Sequence, residues 1–117
     1  STLHTPDVQR TVGRVLSLAS KRDPQEVRER FADNLKGVIC QRLLPRADGK
    51  GRVIAAEVLV NTGTAKESIK RPDGNLPLKD VMERGVHPYG MQTFEMSLKE
   101  RVKQGLISVE VARAALT

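Results

Sequence analysis

Apolar residues recur along the start of the chain at the spacing of a helix. Val8, Val12, Val15 and Leu16 fall on one face and predict a helix over 6–19. Thr5 and Pro6 read as its N-cap and first helical position: a hydroxyl takes an orphan backbone N–H, and proline has none to offer. Asp23-Pro24-Gln25-Glu26 reads as a second helix start, with Glu26 placed to close a capping box and Val27, Phe31 and Leu35 as the apolar stripe. The period then changes from helix to strand. Residues 38–44 and 52–60 read as two strands joined by the polar turn Pro45 to Gly51, which predicts a hairpin. The second strand is nearly continuous in small and branched apolar residues, so burial on both faces is expected. Four shorter helices follow, at 64–71, around Leu78-Val81-Met82, from Phe94 to Gly105, and over 109–116 with Ser108 as cap. The layout is helix, helix, hairpin, four helices. It predicts an α/β or α+β unit that is mostly helical. Two strands make a poor sheet, so the hairpin is expected to extend a sheet formed by sequence outside these residues. A first helix so close to the start of the chain is likewise expected of a piece of a larger domain.

Composition narrows this picture. The chain has 117 residues, 38% hydrophobic and 29% charged, enough for a globular fold and one domain at most. Its aromatics are Phe31, Tyr89 and Phe94, so the core must be aliphatic. No apolar run approaches the roughly 20 residues of a membrane span, and no signal-peptide pattern opens the chain. A lone cysteine, Cys40, excludes an internal disulfide and a Cys-based zinc site, and a reducing, cytosolic setting is expected. The net charge is +6, mildly concentrated between Lys36 and Arg52. Such a balance suits a polyanionic partner or simply a basic surface.

The usual signatures of a complete enzyme are missing. The sequence holds no G-x-x-x-x-G-K-[ST] loop, no G-x-G-x-x-G, no paired-histidine metal spacing and no nucleophile elbow. Cys40 lies inside a strand pattern, where a free cysteine behaves as a small buried hydrophobe. His4 is more suggestive. It precedes a helix start, flanked by Thr2 and Thr5, where free N–H groups and the helix dipole attract anions; the alternative is a surface histidine on a frayed terminus. The helix pair over 94–116, in a basic chain, also allows a small DNA-binding module. Against that, the second helix offers Arg113 and otherwise mostly Val and Ala, which are packing residues.

Taken together, several motifs resemble those of one family. Thr2-Leu3-His4-Thr5 resembles the end of the His box of the secretion and pilus ATPases. Gly37-Val38-Ile39-Cys40-Gln41-Arg42-Leu43-Leu44-Pro45 resembles a G-V-I-x-Q-x-L-L-P segment of the type IV pilus retraction ATPases, the PilT-like branch. Gly49-Lys50-Gly51-Arg52 through Glu57 continues it, and Gly90-Met91-Gln92-Thr93 matches a G-M-Q-T motif. The resemblance implies the C-terminal portion of a RecA-like P-loop ATPase domain. Residues 1–62 would form the second half of the ATPase core and 63–117 a helical C-terminal subdomain. The parent would be a homohexamer that hydrolyses ATP with Mg2+ and drives pilus retraction and twitching motility. It would sit in the cytoplasm, peripheral to the inner membrane and against a platform protein at the pilus base, with no nucleic-acid partner. The phosphate-binding loop and the acidic motifs would lie upstream, so neither ATP nor Mg2+ would be held by these residues alone and no turnover is expected of them.

By the same resemblance His4 is the catalytic histidine near the γ-phosphate, Thr5 contributes beside it, and Arg52 lies against the nucleotide base. Gly90, Met91, Gln92 and Thr93 would be structural or at a subunit interface. Two departures stand out. The retraction ATPases carry A-I-R-N-L-I-R-E after the hairpin, whereas Thr64 to Arg71 keeps only Ile69 of it, with Lys66 and Lys70 for arginines and Arg71 for the acid. That leaves room for an accessory paralogue. Extension and type II secretion ATPases often carry a four-cysteine zinc module between the hairpin strands; here the connection is short and has no cysteine.

Overall fold

Side chains that accept from the backbone two or three residues ahead start most of the helices. In the computed structural model, which describes residues 7–18 and 23–116, these are α1 (Val8–Leu18), α2 (Pro24–Asn34), α3 (Gly63–Lys70), α4 (Leu78–Arg84), α5 (Phe94–Lys103) and α6 (Val109–Ala115). Thr62, Thr93 and Ser108 each accept from the third residue on, at 3.3, 3.2 and 3.1 Å. Asp23 caps α2 through Gln25 N (3.1 Å), but Glu26 closes no capping box: its carboxylate pairs with Arg30 instead, at 3.0 Å. The first helix begins at Val8, later than the sequence pattern suggests. Asp7 holds the capping position, accepting from Arg10 N at 2.7 Å. A carboxylate at that place gains from the helix dipole as well as from the hydrogen bond. Thr5 and Pro6, read from sequence as cap and first helical residue, lie outside the described residues.

The two strands, β1 (Gly37–Pro45) and β2 (Arg52–Val60), form an antiparallel hairpin in continuous register, with Cys40 opposite Glu57 and Leu43 opposite Ile54. The turn closes because Gly49 and Gly51 take φ of 72° and 100°, which side-chain-bearing residues avoid. Arg46 and Asp48 pair across it at 2.9 Å, and Ala47 N donates to Leu106 O, tying the turn to the loop before α6. The expected burial of β2 on both faces does not hold. Ala55, Glu57 and Leu59 are buried, but the alternate face is half-open and Ile54 is exposed. On β1, Ile39 and Leu43 are exposed beside it. The apolar run over 52–60 is therefore an inward face plus an outer face that no described residue covers.

One aliphatic core joins both sides of residue 62. Leu59 and Ala55 of β2 meet Ile69, Met82, Met91 and Leu98 from the later helices and Val8 and Val12 from α1. In α2 the fully buried residue is Ala32, while Val27, Phe31 and Leu35 of the sequence-derived stripe are only half-buried. Asn61 closes the end of α2 by donating to Ala32 O and Leu35 O, both at 2.8 Å.

The far edge of β2 is covered group by group. Val58 exchanges both backbone hydrogen bonds with Gln92, at 2.8 and 3.1 Å. Ala56 N donates to Ser97 Oγ, Gln92 Nε2 donates to Ala56 O, and Arg101 Nε donates to Ile54 O. In antiparallel pairing, residues opposite these point their own N–H and C=O groups the other way. Ile39, Gln41 and Leu43 thus present an open edge on β1, to which no described residue bonds.

Candidate functional site

The starts of α1 and α5 converge on one buried side chain. Glu57 lies on the inward face of β2, between Ala55 and Leu59, and is 6% exposed. Its Oε1 accepts from Val8 N at 2.7 Å and its Oε2 from Phe94 N at 3.3 Å. Each donor is the first residue of its helix. Among the described residues no cation pairs with this carboxylate. The compensation comes from two helix N-termini, each worth about half a positive charge. An unpaired buried carboxylate would be costly, so the arrangement requires both helices to begin here.

A cleft of about 430 Å³ opens at this junction, lined among others by Asp7, Arg10, Arg42, Glu57, Lys79 and Glu95. Three cations and three acids in that set cancel, so this wall does not make a polyphosphate pocket by net charge. Arg42 lies over the Phe94 ring, 5.7 Å from its centroid, and donates to Ala115 O at 2.6 Å. It thereby joins β1, α5 and the end of α6. Cys40 sits beside Glu57 across the hairpin, buried, with its Sγ 3.4 Å from Thr11 Oγ1. Burial pushes its thiol pKa up, the charges of Glu57 and Asp7 add to the rise, and the Thr11 contact offsets part of it. The thiol stays protonated near neutrality and is a poor nucleophile.

The residues singled out from sequence fall in three places. His4 and Thr5 lie outside the described residues; the chain enters the described structure at Asp7, on the rim of this cleft. Arg52 opens β2, exposed, on the opposite strand face from Glu57 and five residues away, roughly 17 Å at the rise of a strand. The structure does not bring it to the cleft. Gly90, Met91, Gln92 and Thr93 form the lead into α5. Gly90 has φ of 75°, in the region that favours glycine. Met91 is buried against Gly85, Gln92 pairs with β2, and Thr93 caps α5. Glu57 itself is absent from the sequence-derived site. Its signal was available: one acid at an inward register position of an otherwise apolar strand. The acid cluster that a metal would need does not appear among the described residues, where no group of three or more His, Cys, Asp or Glu stands together.

No protein-family model matches the chain. Individual relatives do. A twitching motility protein of Neisseria gonorrhoeae is 36% identical over 112 residues, which is 96% of this chain and 29% of the relative. The type IV pilus ATPases PilT and PilU of Pseudomonas aeruginosa are 36% and 34% identical, over 96% and 97% of this chain and 32% and 29% of their own lengths. A crystal structure of the pilus retraction motor PilT with bound ADP superposes with a TM-score of 0.78 at 32% identity, covering 97% of this chain and 31% of that one. The Legionella pneumophila ATPase DotB, at 21% identity and a TM-score of 0.75, shows the same fold. The fold is that of the C-terminal part of a secretion-type ATPase domain. Within that class the chain is similar, over nearly its whole length, to the C-terminal part of PilT-like ATPases of type IV pili. It spans about 30% of the length of the relatives it matches. Nothing in these likenesses supports the DNA-binding alternative, and α6 turns Ala112 and Ala115 inward as packing residues.

Proposed function

We propose that these residues are the C-terminal part of a hexameric, ATP-hydrolysing motor that powers retraction of type IV pili and twitching motility. The observation that carries the reading is the match over nearly the whole chain, in sequence and in fold, to a retraction motor solved with ADP. In this reading residues 1–62 complete the ATPase core and 63–117 form the helical subdomain. ATP and Mg2+ are gripped by parts of the parent that supply the phosphate-binding loop and acidic motifs, which this sequence lacks. His4 acts beside the γ-phosphate, with Thr5 next to it, and Arg52 lies against the base contributed within the ring. The motor works in the cytoplasm, at the inner membrane, against a platform protein of the pilus base. Among the described residues no helix is long and apolar enough to cross a membrane.

The test is made on the intact parent, purified as a hexamer. It should hydrolyse ATP in the presence of Mg2+, and His4→Ala should lower kcat by about 100-fold or more while nucleotide still binds. The 117 residues alone should show no turnover. A well-folded hexamer that hydrolyses nothing, or a His4→Ala variant of unchanged kcat, overturns the reading. Loss of twitching on deletion, restored by the gene in trans, would extend it to the cell.

A further inference from the structure

We propose that Glu57 is a positioning residue: by holding the first residues of α1 and α5 on one carboxylate, it makes α1 move as one body with the C-terminal helices. The proposal rests on the functional reading above. Glu57 spends both of its oxygens on backbone N–H groups from helices 49 and 37 residues away in sequence. α1 is also seated by the buried Val8 and Val12, apolar contacts that resist separation without fixing direction, and by the Thr11 Oγ1–Cys40 Sγ contact at 3.4 Å further along. The two hydrogen bonds are directional and supply that fix. Val8 follows His4 by four residues, so the two Cα atoms can be at most about 14 Å apart. On the other side, Phe94 follows the Gly90–Thr93 lead, and that lead is bonded to β2 through Gln92. One buried carboxylate thus connects α1, the hairpin and α5.

An acid kept only to fill space would be replaceable by an apolar residue of similar size, often with a gain in stability. A positioning acid would not be. Two variants attack the clamp from opposite sides. Glu57→Gln keeps the shape but turns an NH2 group toward one of the two backbone donors. Val8→Pro removes one donor at the first position of α1, where proline is tolerated. In the intact hexamer, both should keep assembly and the KM for ATP within about threefold, while kcat falls by about tenfold or more. Amide hydrogen exchange should speed up at Val8 and Phe94 together in Glu57→Gln, and at Phe94 alone among the two in Val8→Pro.

Unchanged kcat in both variants overturns the proposal. So does a parallel loss of kcat, KM and assembly with the melting temperature, which is the signature of a merely structural acid. Should the wild-type parent hydrolyse no ATP, the functional reading fails. The exchange measurement then still decides whether one carboxylate holds both helices, and independent exchange at the two amides sinks the clamp itself.

Discussion

At the scale of single residues, the tightest fit is between Gly85 and Met91. A Cβ built on Gly85 would lie 2.6 Å from Met91 Sδ and 2.7 Å from its Cε, and Met91 is 2% exposed, so the thioether must shift within the core. Gly85→Ala should therefore cost about 1–3 kcal/mol, the usual range for overpacking a core, read as a lower urea midpoint at unchanged slope. Combined with Met91→Ala, the two changes should be strongly non-additive, because the second removes what the first collides with. An additive pair would mean that the methionine had already relaxed elsewhere. Glycine at 85 is thus a matter of space, whereas glycine at 90 is a matter of backbone angle.

At the scale of elements, α3 is gripped at its C-terminal end by α2. Arg28 donates to Ile69 O at 2.9 Å, Gln25 donates to Lys70 O at 3.1 Å, and Lys70 Nζ lies 2.8 Å from Asp33. These contacts fall on the stretch that departs from the family's A-I-R-N-L-I-R-E, so the divergent helix has its own fastening. The Lys70 hydrogen bond holds the Asp33 carboxyl below the usual carboxylate range, and Asp33 in turn raises Lys70. The pair's contribution at the acid end is present above about pH 4, the ordinary carboxylate value, and is lost as pH falls through the lowered one. Asp33 is half exposed, so the effect is modest and screened by salt. Melting curves between pH 7 and pH 3 should show Asp33→Asn with a shallower acid decline than wild type; superimposable slopes would show that the pair does not contribute.

The same scale shows what was legible in sequence. The helices and the hairpin follow from period, caps and turn glycines, all local properties. Asp7 caps α1 because a carboxylate one residue before Val8 meets the N–H of Arg10, a contact that apolar spacing alone does not reveal. The open outer face of β2 was hidden because a run such as Val53-Ile54-Ala55-Ala56 reads the same whether one face is buried or two. The Glu57 junction was hidden for a different reason. It joins residues 49 apart, and such a pairing exists only after the chain has folded.

For the whole molecule, the decisive surface is the edge of β1. Ile39, Gln41 and Leu43 present main-chain groups that no described residue bonds, and Ile39 and Leu43 are 67% and 58% exposed. An apolar open edge invites strand pairing. The isolated 117 residues should therefore self-associate, and Leu43→Lys should shift sedimentation velocity toward the monomer. A wild type that stays monomeric across the micromolar range would show the edge to be protected. The nature of that association follows from the other side of the sheet. Because Gln92, Ser97 and Arg101 occupy the outer edge of β2, the hairpin has a pairing valency of one. Copies can meet edge to edge across a two-fold axis, and there the process stops, for neither partner has a second edge to offer. The hairpin behaves as a chain terminator for the sheet, so the isolated chain should stop at dimers and not grow into fibrils.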